Sequence, residues 1–119
     1  MLRDKLNKVS LGTHILLNIS ECDGGLLSYV ESVRSILDSA IFEAGLTKVG
    51  ESFHQFEPIG ATGVLLLSES HVCIHTWPEF NAAAIDIFCC GSEEKARLVA
   101  ELLVDKFQAT KFQQQVCFR

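Results

Sequence analysis

The chain has 119 residues, enough to bury one core without disulfide or metal staples, so a single domain is expected. Its net charge of −5 argues against a nucleic-acid binder, which normally carries a basic face. Its longest apolar runs, such as Val64 to Leu67, are far too short to span a membrane.

The opening residues mix Arg3, Lys5 and Lys8 with Asp4 and form no continuous apolar stretch, so they read as a solvated segment and not as an export signal. A cytoplasmic protein is expected, with Cys22, Cys73, Cys89, Cys90 and Cys117 as free thiols. "THILLNISE" (13–21) reads as a strand. Asp23 then caps one helix whose apolar positions, from Leu26 and Leu27 to Ala44, keep three-and-four spacing up to the stop at Gly45. "LTKVGESFHQFEP" reads as a strand ending at Pro58, and "IGATG" as a turn or irregular segment. Two strands flank a corner at Ser68–His71, and "AAAIDIFCC" (82–90) is another. Ser92 caps a second helix with Glu93 and Glu94 in its first turn, and "FQQQVCF" closes the chain as a strand.

The order β-α-β-β-β-β-α-β predicts an α+β two-layer sandwich: a mostly antiparallel sheet with two helices on one face. Strand alternation sends Val72, Ile74, Ile85 and Ile87 under the helices, and His75, Asp86 and Cys90 to the other face. Trp77 and Phe88 share that second face, and no helix is left to cover it. A homodimer packed sheet against sheet is therefore expected.

Taken singly, the polar residues of this region have plain readings. A strand histidine such as His75 can be structural, Cys90 can fill space as a small hydrophobe, and Ser70 can serve a turn. His71, Cys73, His75, Cys89 and Cys90 are zinc-ligand types, but no C-x-x-C pair is present and adjacent strand cysteines point to opposite faces. No metal is assigned. A thiol hydrolase would need an oxyanion hole that no motif supplies.

The order of residues says more. Phe53-His54, Phe56 and Pro58, then Gly60-Ala61-Thr62-Gly63, Ser68-Glu69-Ser70-His71, Ile74 to Glu79, and Ala84, Asp86, Phe88 and Cys90-Gly91 follow one another as in a known pattern. The chain resembles the prokaryotic S-adenosylmethionine decarboxylase proenzymes, which make their own pyruvoyl cofactor. Gly12-Thr13-His14 and Glu21-Cys22-Asp23 fit as well, so the resemblance covers nearly the whole chain.

The resemblance implies self-cleavage between Glu69 and Ser70 into pieces 1–69 and 70–119. The Ser70 hydroxyl attacks the preceding carbonyl, and elimination leaves a pyruvoyl group at position 70. That carbonyl forms a Schiff base with S-adenosylmethionine and accepts the electrons released with carbon dioxide. By the same resemblance His75 is the proton acceptor in processing, Thr62 a donor to the transient oxyanion, and Cys90 the proton donor in catalysis. Phe56 and His75 would flank adenine and Glu79 would hold the ribose, while the π faces of Trp77 and Phe88 are candidates to meet the sulfonium. The product would supply the aminopropyl group of spermidine. Three departures from the pattern stand out: Thr62 where many relatives have serine, Phe80-Asn81-Ala82 beside the presumed nucleoside pocket, and a sequence expected to stop soon after its last strand. Arginine or ornithine as substrate, and a non-enzymatic ligand- or metal-binding module, are the alternatives.

Overall fold

The computed structural model describes residues 10–119; the basic opening segment lies outside the described residues. Six strands form one antiparallel sheet: β1 (Thr13–Ser20), β2 (Lys48–Gln55), β3 (Ala61–Leu67), β4 (Ser70–Trp77), β5 (Ala82–Cys89) and β6 (Lys111–Phe118), in the order β2-β3-β4-β5-β1-β6. On one face lie α1 (Gly24–Leu27), α2 (Val30–Glu43) and α3 (Glu93–Lys106). The α+β two-layer prediction holds.

The register fixes which side chains meet the helices. Ile15, Leu17 and Ile19 of β1, Leu65 and Leu67 of β3, Val72 and Ile74 of β4, and Ile85 and Ile87 of β5 are buried on that face. They close against Leu27, Val33, Leu37 and Ile41 from α1 and α2, and Val99, Leu103 and Phe107 from α3 and its end. Burying each such side chain contributes about 1.5–3 kcal/mol, so this face drives the fold.

Local chemistry sets the helix ends. Ser92 accepts from the Lys95 backbone N–H at 3.2 Å and caps α3. Gly45 adopts φ +74 after α2, with its N–H on Phe42 O and the Leu46 N–H on Ile41 O, both at 3.1 Å: a Schellman stop. α3 ends the same way through Gln108, a non-glycine at φ 56.

Three expectations need correction. The single helix from Asp23 to Gly45 is two, because Tyr29 leaves helical geometry at φ −126, ψ 143. Apolar spacing does not register this break, since α1 and α2 present Leu27 and Val33 to the same core. "IGATG" is no loose segment: Ala61 to Gly63 already belong to β3, with Ala61 and Gly63 buried. The preceding strand ends at Gln55, before Pro58, and residues 56–60 form a loop closed by the Phe56 N–H on Gly60 O at 2.8 Å.

Candidate active site

The Glu69–Ser70 bond sits where β3 turns into β4. Only Ser68 and Glu69 separate the two strands, and the Ser68 N–H is pinned to Thr47 O at 3.0 Å. Ser70 opens β4 opposite Cys89, and its Oγ accepts the Cys90 backbone N–H at 3.3 Å. Glu69, Ser70, Cys90, Gly91, Ser92 and Lys95 line a shared cavity of about 360 Å³.

Adjacent cysteines have opposite settings here. Cys89 is 1% exposed beneath the helices, and Cys90 is exposed. Burial pushes the Cys89 thiol above its ordinary range, while the Ser70 hydroxyl and the Lys95 charge pull the other way. By alternation Ser70 falls on the same side of β4 as Val72 and Ile74, so its register partner is Cys89, while Cys90 reaches its hydroxyl only through the backbone.

The far end of β4 gathers a second group. Thr62 Oγ1 and His75 Nδ1 lie 3.1 Å apart across the β3–β4 pair. Phe56, Thr62, His75, Trp77 and Glu79 line one cavity of about 600 Å³, within the range of small-molecule pockets. Its wall is held by two polar side chains. Thr76, 7% exposed, donates to Leu27 O and accepts from the Ala61 N–H, both at 2.8 Å. Gln55 Oε1 accepts the Val30 N–H at 2.7 Å, supplying the cap that Tyr29 lacks, and its Nε2 donates to Ser28 O and Gly60 O, both at 2.9 Å.

One chain does not bring these two groups together. His75 stands five residues beyond Ser70, roughly 17 Å along an extended strand, and on the sheet face away from the helices. That face also carries Leu16, Leu66 and Trp77, exposed by 38%, 50% and 44%. On it Phe88 is ringed by His71 at 5.8 Å, His14 at 6.1 Å and the Arg119 guanidinium at 5.5 Å. No three metal-ligating side chains gather among the described residues to hold an ion.

Sequence reasoning missed three residues that shape these cavities. Thr76 and Gln55 were invisible because their importance lies in hydrogen bonds to segments up to 49 residues away. Lys95 falls in a helix with no motif to single it out.

A profile of the S-adenosylmethionine decarboxylase family matches residues 13–119. The chain belongs to that family. It is 43% identical over 110 residues to the S-adenosylmethionine decarboxylase proenzyme of Persephonella marina, covering 92% of this chain and 83% of the relative. With the proenzyme of Archaeoglobus fulgidus it shares 39% identity over 109 residues, covering 92% and 97%. The crystal structure of the adenosylmethionine decarboxylase from Aquifex aeolicus superposes with a TM-score of 0.88 at 37% identity, covering 92% of this chain and 91% of that one. Family membership and the shared fold thus rest on nearly the full length. No helix among the described residues is long and apolar enough to cross a membrane.

Proposed function

We propose that this chain cuts its own backbone between Glu69 and Ser70, keeps a pyruvoyl group at position 70, and uses it to decarboxylate S-adenosylmethionine to the aminopropyl donor for spermidine synthesis. The observation that carries the reading is the setting of Ser70: a hydroxyl held by the Cys90 N–H, next to a two-residue turn, opening on a cavity instead of the core. A hydroxyl held this way attacks the adjacent carbonyl with little loss of freedom. The donor set fits a self-made carbonyl, since position 70 begins a strand and stays anchored by the β4–β5 ladder after the cut. When formed, the pyruvoyl carbonyl supplies the electron sink for the departing carboxylate.

The chain's own residues do the rest. His75, paired with Thr62, is the processing base, and the Thr62 hydroxyl donates to the transient oxyanion. Cys90 returns the proton to the substrate. Phe56, Trp77 and Glu79, which share the larger cavity, take the adenine, the sulfonium and the ribose, which supports a nucleoside substrate over arginine or ornithine.

A second copy supplies what one chain lacks. Packing the two open sheet faces together in opposite directions sets the Thr62–His75 end of one copy against the Ser70–Cys90 end of the other. It also covers Leu16, Leu66 and Trp77. Intact mass of freshly purified protein should show two pieces cut before residue 70, and carbon dioxide release should follow S-adenosylmethionine and not arginine or ornithine. A chain that stays whole with an unmodified seryl residue at 70 would end this reading.

A further inference from the structure

Self-cleavage creates a charge that the precursor does not have: the α-carboxylate of Glu69. We infer that Lys95 is the counter-ion built in for that carboxylate, speeding the elimination step by stabilising its leaving group. This rests on the proposed self-processing.

Three observations converge on Lys95. Among the described residues it is the one basic side chain lining the cavity that contains the Glu69–Ser70 bond. It and Arg119 are also, among the described residues, the cations that hold no carboxylate. Arg34, Lys48, Arg97, Lys106 and Lys111 each pair with an acid, and Arg119 lies over the Phe88 ring. Lys95 leans only on a neutral carbonyl, Gly45 O, at a long 3.4 Å. Finally, it stands in the first turn of α3, directly after the Gly91–Ser92 corner that lines the same cavity, where the helix N-terminus adds partial positive charge.

The chemistry requires such a group at one step. Attack of Ser70 Oγ on the Glu69 carbonyl moves the acyl group from nitrogen to oxygen and creates no net charge. In the next step a base takes the Cα proton of residue 70, the Cα=Cβ bond forms, and the Cβ–Oγ bond breaks with its electron pair going to the Glu69 carboxylate. The resulting enamine becomes an imine, which water hydrolyses to the pyruvoyl group and ammonia. Lys95 acts on the bond-breaking step, releasing Gly45 O to take the carboxylate. A charge-assisted hydrogen bond at a half-open site is worth roughly a tenfold rate change.

The experiment follows maturation of pulse-synthesised full-length chains by intact mass, with and without hydroxylamine, which cleaves esters at Ser70 but leaves amides. Lys95→Met should mature roughly tenfold more slowly and accumulate hydroxylamine-sensitive ester, and Lys95→Arg should restore the rate. Wild-type maturation in Lys95→Met overturns the inference, and so does a slow variant that stalls as the amide without ester. Should Lys95→Met fail to fold by circular dichroism, Lys95→Gln against Lys95→Arg carries the same comparison. A wild-type chain that never cleaves overturns the proposed function instead, so the two failures are distinguishable.

Discussion

Cys90 touches Ser70 through its backbone N–H and leaves its thiol exposed, so the two roles proposed around it are separable. Cys90→Ala keeps the amide donor and should therefore mature normally, while turnover falls about 10²–10⁴-fold for want of a positioned acid. Intact mass and carbon dioxide release measure the two halves independently. Ser70→Ala removes the nucleophile and should leave a folded, uncut chain. Thr62 tests the other end of β4. Thr62→Val deletes the hydroxyl that meets His75 Nδ1 and should slow self-cleavage about 10²–10³-fold, whereas Thr62→Ser should behave like the parent. The first mutation separates a hydroxyl that works on the reaction from one that merely fills space, because valine fills the same volume.

At the scale of elements, the walls of the larger cavity depend on polar side chains that tie the surrounding elements together. Thr76 joins α1, β3 and β4 through one hydroxyl. Thr76→Val should cost about 1–3 kcal/mol, since it strands the Ala61 N–H in a dry site, and a thermal melt would record the drop. Gly63 shows how tightly β2 lies on β3: a Cβ there would come within 2.2 Å of the Phe53 ring, which a side chain cannot occupy. Strand alternation from Val72 to Cys90 was readable in advance because burial repeats every second residue, and it sorted Cys89 from Cys90 correctly. The break at Tyr29 was not readable, since Leu27 and Val33 satisfy helical spacing across it. Neither was the strand character of Ala61 to Gly63. Glycine and alanine carry weak propensity, and that segment becomes a strand because β2 and β4 pair with it on both sides.

For the whole molecule, the decisive feature is that the two groups of candidate residues occupy opposite ends of one strand. The motif order made both groups legible but not their separation, which follows from β4 running straight between them. If two copies complete each other's sites, Ser70→Ala and His75→Ala chains, each inactive alone, should regain cleavage and activity when co-expressed, with at most half the centres restored. No recovery in a purified mixed dimer would place each site within one chain. The strand order has a separate consequence for the life of the protein. Residues 1–69 supply β1, β2 and β3, residues 70–119 supply β4, β5 and β6, and β1 lies between β5 and β6. The proposed cut before residue 70 would therefore leave the strand order interlocked, because each fragment is laced through the other. Unfolding after the proposed cut would be another matter: an uncut chain refolds as one piece, but two cut pieces would first have to find each other, at a rate that falls with dilution.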